Sequence, residues 1–255
     1  MNEIILRTEN ISIQFGALKA VNDVSISIEK NKFTTILGPN GAGKTTLFNL
    51  LSGLYEPSSG KVFLKDKDIT RLTPQERIRE GMCRSFQLTN VFPKLTVHEN
   101  VRLAVQSAAG IGFKLFRNYK KYDEVNEGTG RLLEQVMLQE KDYMRASDLS
   151  HGEQRKLELA MVLALKPEVL LLDEPTAGMS VEEVPVMIDL LRQIKGTGVT
   201  IVLIEHKMNM VKALSDKLII MVNGEFLCEG DPETVSRNPD VMEAYLGGGV
   251  INVTA

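Results

Sequence analysis

Gly38-Pro39-Asn40-Gly41-Ala42-Gly43-Lys44-Thr45 is the stretch on which the fold turns. It satisfies the pattern G-x-x-x-x-G-K-[S/T] at every position, and Thr46 continues it. An apolar run at residues 34–37 leads into it. A helical segment from about Lys44 to Leu51 leads out, with Gly53 placed to stop it. This strand–loop–helix setting is what the pattern needs. The glycines let the backbone fold tightly enough for successive N–H groups to converge on one point, and the helix N-terminus adds partial positive charge. Such a cradle takes phosphate oxygens. Lys44 is long enough to reach the β- and γ-phosphates of a nucleotide, and the Thr45 hydroxyl is a candidate Mg2+ ligand.

Working outward, residues 169–172 read Val-Leu-Leu-Leu and are followed by Asp173-Glu174. An apolar run without alternation is expected of a strand buried on both faces, and it delivers two carboxylates to the carboxyl edge of a sheet, where open α/β folds bind ligands. Asp173 is the candidate metal holder and Glu174 the candidate group that orients and polarises an attacking water. Two further runs, at residues 200–204 and 218–222, read as strands of the same kind, the second ending in the turn Asn223-Gly224. Helices are expected at residues 181–194 and 208–214. Near the start, Ile11, Ile13 and Phe15, then Val24, Ile26 and Ile28, read as two amphipathic strands separated by a turn, and residues 61–64 as another short strand. The middle reads as helical, from Val97, Val101, Leu103 and Val105 to Leu132, Leu133, Val136 and Met137, with a loop over residues 109–130. The expectation is one domain spanning residues 1–255, with a core of about 1–87 and 151–255 and a helical subdomain of about 88–150.

Composition narrows the classes. The 255 residues are 43% hydrophobic and 25% charged, ordinary for a globular protein, and the net charge of −3 disfavours a general nucleic-acid binder. Cys83 and Cys228 are far apart and form no C-x-x-C pair, against a zinc site or disulfide framework. The longest apolar runs fall well short of the roughly 20 residues of a membrane-spanning helix. The opening residues lack the pattern of a signal peptide, so none is expected.

Leu149-Ser150-His151-Gly152-Glu153-Gln154 allows two readings. Ser150 with Glu153 three residues on is a capping box opening a helix with Leu157, Ala160, Met161, Ala164 and Leu165 on its apolar side. A capped helix start is also a place where anions bind, so the readings can coexist. Together with the phosphate loop and Asp173-Glu174 downstream, the segment resembles the signature of ABC transporter ATP-binding subunits. Their usual LSGGQ stands here as LSHGE, with His151 and Glu153 as departures. Ser180 likewise stands where many members carry the D-loop aspartate.

The resemblance covers nearly the whole chain. It implies an α/β fold of the P-loop NTPase type, the ABC ATPase variant: a RecA-like core with an antiparallel β subdomain and an inserted α-helical subdomain. It implies ATP and Mg2+, with Thr45, Gln87 and Asp173 at the metal and Lys44, Glu174 and His206 in catalysis. Phe15 would stack on adenine. Ser150, His151, Gly152 and Glu153 would face the ATP of an opposing subunit. Taken singly, Phe15 reads as core, Gln87 as a surface amide and His206 as an ordinary histidine after a strand; their joint order gives them specificity. The segments 15–21, 84–87, 96–101, 204–206, 238–241 and 244–247 are typical of the branched-chain amino acid importer branch. The expected partners are two membrane permease subunits, a paralogous ATPase subunit or a second copy head to tail, and indirectly an extracytoplasmic substrate-binding protein, with no nucleic acid. The expected place is the cytoplasmic face of the cell membrane. Alternatives are a urea or short-amide importer, a lipopolysaccharide-export ATPase, or a soluble ABC ATPase without transport. The last usually carries two cassettes or a long coiled coil, and this chain has one phosphate loop and no sustained heptads.

Overall fold

Two compact units make up the chain: Met1–Met82 with Glu168–Glu174 and Ile194–Ala255, and Cys83–Pro167 with Pro175–Gln193. They are seen in a computed structural model that describes residues 3–85, 91–110 and 120–246.

The first unit opens with β1 (Ile4–Phe15), β2 (Leu18–Val24) and β3 (Ser27–Glu29), both paired antiparallel to β1. The single strand expected through Val24, Ile26 and Ile28 is thus two strands. Asp23 has a left-handed φ of 55°, and the buried Thr8 fills the break: its hydroxyl donates to Val24 O and accepts from Ile26 N. The three apolar side chains are nonetheless all buried. β4 (Phe33–Leu37) enters a second sheet, α1 (Lys44–Ser52) follows the phosphate loop, and β5 (Ser59–Leu64) and β6 (Lys67–Asp68) extend the antiparallel sheet. α2 (Pro74–Arg79) then leads into β7 (Met82–Arg84).

The second sheet carries β8 (Val169–Asp173), β9 (Thr200–Ile204), β10 (Lys217–Val222) and β11 (Glu225–Gly230), in the order β11-β10-β4-β9-β8. All but β11 run parallel. Every residue of β4, β8 and β9 is buried, which is why their sequences do not alternate. Ile36, Ile219 and Met221 join α1 residues such as Phe48 and Leu51, and Leu6, Ile11 and Val62 of the antiparallel sheet, in one core. Leu37, Leu218 and Ile220 meet Val211, Val235 and Val241 in another. These last three come from α7 (Met208–Leu214), α8 (Pro232–Ser236) and α9 (Pro239–Leu246). Asn223 and Gly224, at φ 50° and 82°, form the hairpin turn between β10 and β11.

The second unit holds α3 (Val97–Ala108), α4 (Lys120–Gln135), α5 (His151–Leu163) and most of α6 (Glu183–Gly196). The expected loop over residues 109–130 is corrected here: residues 120–130 are helical, and 111–119 lie outside the described residues. Gly128 and Gly130 imitate a loop in sequence. Gly128 is instead a close approach, since a Cβ there would stand 3.3 Å from Val105 Cγ1 of α3. Val125, Leu133 and Val136 supply the buried stripe, and the Thr129 hydroxyl bonds back to Val125 O.

Candidate active site

Strand order brings three loops to one edge of the parallel sheet. The phosphate loop follows β4, Glu205-His206 follow β9 and Glu174 follows β8, and these three strands are neighbours in that sequence. Asp173 is in register with Ile204, so Glu174 and Glu205 leave adjacent strands at the same level.

The phosphate loop is held by contacts only glycine permits. A Cβ at Gly38 would stand 2.2 Å from Met221 O, and one at Gly43 would stand 2.3 Å from Ala20 O. Gly43 also has φ 89° and serves as the N-cap of α1, with no side chain capping the helix. Asn40, Gly41 and Thr45 are exposed, while Gly38, Ala42 and Lys44 are buried and Pro39, Gly43 and Thr46 half-buried. The Lys44 ammonium donates to Gly38 O at 2.7 Å and Pro39 O at 2.9 Å. Burial holds its pKa below the ordinary lysine value, opposed by the Glu174 and Asp173 carboxylates. A cation so placed is short of acceptors and long enough to trade carbonyls for phosphate.

Asp173 is 1% exposed at the end of β8. Glu174 turns out of the strand at φ 47°, its N–H donating to Ile204 O at 2.9 Å. That left-handed turn, uncommon for a residue with a side chain, aims the carboxylate away from the sheet. Its Oε1 lies 2.9 Å from His206 Nε2. The backbone N–H of His206 donates to the carboxylate of the buried Glu205 at 2.9 Å. Phe15 is 47% exposed and is therefore not core; it meets Tyr55 edge to face, ring centroids 5.5 Å apart. Gln87 falls outside the described residues.

The second unit presents the signature segment. Ser150 caps α5: its hydroxyl accepts from Glu153 N at 3.2 Å, and Glu153 Oε2 accepts from Ser150 N at 3.0 Å. The capping box read from sequence is therefore formed. Glu153 also pairs with Lys141. His151 is exposed and Gly152 buried.

A family model described as ABC transporter matches residues 21–177. The chain belongs to the ABC transporter ATP-binding family. A second model, described as branched-chain amino acid ATP-binding cassette transporter, matches residues 227–251 of this ABC ATPase. It is 36% identical to the high-affinity branched-chain amino acid transport ATP-binding protein LivG of Salmonella typhimurium, over 97% of this chain and 99% of that one. It is 37% identical to a probable LivG of Archaeoglobus fulgidus, over 95% of each. Among solved structures, the ADP conformation of MJ1267, an ATP-binding cassette of an ABC transporter, superposes with a TM-score of 0.83 at 31% identity, covering 96% of this chain and 99% of the other. The ABC ATPase is thus a homologue of the LivG importer ATPases and carries the nucleotide-binding fold expected from its sequence. Among the described residues, no helix is long and apolar enough to cross a membrane.

Three residues at these sites escape a sequence reading. Tyr55 is forty residues from its ring partner, and nothing local announces the contact. Glu205 sits beside His206 but reads as a surface acid. Glu183 follows Ser180 at the same S-x-x-E spacing as Ser150 and Glu153, a signal that was available. Its N–H donates to the Ser180 hydroxyl at 3.3 Å, and its Oε2 accepts from Ser180 N at 3.0 Å.

Proposed function

We propose that this ABC ATPase hydrolyses ATP as one half of a head-to-tail dimer on the cytoplasmic face of the membrane. Hydrolysis there powers import of branched-chain amino acids through two permease subunits fed by an extracytoplasmic binding protein. The chemical reading rests on Glu174, whose carboxylate stands clear of the sheet edge with His206 Nε2 at 2.9 Å. Phosphoryl transfer asks a protein mainly to position and to stabilise charge. Glu174 orients the attacking water and takes up its developing positive charge. Lys44 leaves Gly38 O and Pro39 O for the β- and γ-phosphates. His206 moves from Glu174 to the γ-phosphate, and Phe15 stacks on adenine, a contact with an aromatic face. Ser150, His151, Gly152 and Glu153 meet the nucleotide of the opposing subunit. The exposed Thr45 hydroxyl and the buried Asp173 carboxylate are hard oxygen donors of the kind Mg2+ takes. With Gln87 they would hold it; when bound, it neutralises phosphate charge. The cargo assignment is supported by the likeness to LivG over almost the whole chain together with the family match at residues 227–251.

Glu174→Gln tests the chemistry. It should lower steady-state ATP hydrolysis at least about a hundredfold while leaving ATP affinity within a few fold, because the amide cannot take a proton. Hydrolysis at the parent rate would remove Glu174 from its role. For the cargo, the chain is assembled with its permeases and binding protein in vesicles. ATP-dependent uptake of leucine, isoleucine or valine is expected; uptake of urea or short amides alone would move the assignment to that branch.

A further inference from the structure

Ser150 has one hydroxyl proton, and in this structure that proton has an owner. The hydroxyl accepts from Glu153 N as the cap of α5, and it donates to Glu183 Oε1 at 3.1 Å. The other carboxylate oxygen of Glu183 accepts from Ser180 N, so the two oxygens hold one partner each. The carboxylate lies flat against the start of α5: a Cβ at Gly152 would stand 2.4 Å from Glu183 Oε1 and 2.9 Å from Oε2. A side chain at residue 152 would thus have to push the Glu183 carboxylate off the start of α5. A negative charge sits where the helix start would otherwise receive an anion.

We infer that Glu183 is a positioning residue of the signature serine, holding the Ser150 hydroxyl proton and competing with the opposing ATP for it. The inference rests on the head-to-tail reading proposed above. A hydroxyl cannot donate to a carboxylate and a phosphate at once. Formation of the ATP-bound pair must therefore break the Ser150–Glu183 bond and bring a phosphate against a carboxylate. Both effects raise the ATP concentration at which subunits pair. Because Glu183 also holds Ser180 N in the loop after Asp173-Glu174, its release frees the signature and that loop together.

Glu183→Gln separates this role from plain capping. The amide has one acceptor, and the Ser180 N–H retains it. The amide NH2 then faces Ser150, where it can only donate, leaving the serine proton free. Size and packing are unchanged. Pairing is measured by sedimentation of the full chain against ATP concentration in a Glu174→Gln background, which prevents turnover. Adding Glu183→Gln should lower the ATP midpoint at least about fivefold, as expected for freeing a donor from a charged acceptor. The gap should narrow at high salt, since like-charge repulsion is screened. In a Ser150→Ala background, the gain should shrink to the part that high salt screens. Glu183→Ala, which removes both arms, should shift the midpoint in the same direction, so the result does not depend on one substitution folding. A merely structural cap predicts a lower unfolding temperature and an unchanged or raised midpoint. That outcome overturns the inference, as does a gain that Ser150→Ala leaves undiminished. If Glu174→Gln alone fails to pair with ATP, the head-to-tail reading falls and the inference falls with it. Pairing that ignores Glu183 defeats the inference alone.

Discussion

The start of α1 and the start of α5 face the same physical problem and solve it oppositely. Each helix begins with backbone N–H groups that have no partner within the helix. At α1 the N-cap is Gly43, in a left-handed conformation, which has no side chain to offer the first turn. At α5 Ser150 and Glu153 satisfy one another's backbone reciprocally, and Glu183 lies over Gly152. The first is an open anion site whose shape is fixed by backbone contacts to Met221 O and Ala20 O. The second is a closed one, fitted with carboxylates that, in the pairing proposed above, an incoming phosphate must displace or tolerate. An open site favours binding by one subunit alone, whereas a closed site makes binding conditional. That division suits a protein in which nucleotide binds first to one face and completes a pair second.

The largest break in this contrast is Lys44→Ala. The open loop is worth little to a nucleotide without the buried Lys44 ammonium aimed at its carbonyl rim. Hydrolysis is expected to fall by about a hundredfold to a thousandfold, the usual effect of losing one preorganised charge donor, and ATP affinity should fall with it. Steady-state turnover and nucleotide titration check both. Parent-like affinity in the variant would mean that the loop N–H groups suffice and that Lys44 acts only later.

An open N-terminus needs its helix fixed elsewhere, and Arg77 does this at the other end of α1. It is 1% exposed, and its guanidinium donates to Leu50 O, Leu51 O, Leu72 O and Thr70 O. Two of these are carbonyls in the last turn of α1, where a cation also matches the helix dipole. Burial pushes the Arg77 pKa down to about 10, so it keeps its charge at neutral pH. Arg77→Leu should cost about 3 kcal/mol in denaturant unfolding, since several buried carbonyls lose their donor at once. A loss under about 1 kcal/mol would show that water replaces the guanidinium and that the contrast is not needed for stability.

What could be read from the chain follows how local each device is. The phosphate loop was legible because its backbone demands glycine at fixed spacings. Ser150 with Glu153 was legible because a capping box spans four residues. Asp173-Glu174 stood out because β8 is buried on both faces and ends abruptly in charge. Arg77 was not legible: an arginine in a short polar helix reads as solvent-facing until α1 is folded against it. The Ser150–Glu183 bond joins residues 33 apart, beyond any periodicity. Gly128 misled because a glycine tolerated for close helix packing has the same letter as a glycine that ends a helix. Phe15 carried the opposite ambiguity, since an exposed aromatic at the end of a strand has the same local pattern as a core one.

The smallest effect tests whether charge, or only hydrogen-bond geometry, closes the start of α5. Burial by itself would raise the pKa of Glu153, but the bond to Lys141 and the Ser150 N–H act together and hold it below the ordinary glutamate value. A depressed carboxylate contributes stability above its unfolded-state pKa and loses it as pH falls through the folded-state value. Glu153→Gln keeps an acceptor for Ser150 N, as capping boxes with glutamine do, and loses only the ion pair with Lys141 and the helix-dipole interaction. At neutral pH the variant should be less stable by about 0.5–1 kcal/mol. The difference should shrink toward zero as pH falls through the acidic side of the glutamate range, where the parent's carboxylate is protonated too. Parallel denaturant curves for the two proteins at several pH values measure it. A difference that does not change with pH would mean the α5 start is closed by hydrogen bonds alone. In that case the displacement that the proposed pairing demands of Glu153 is steric and directional, and of the two carboxylates at the α5 start Glu183 is the one whose charge bears on it.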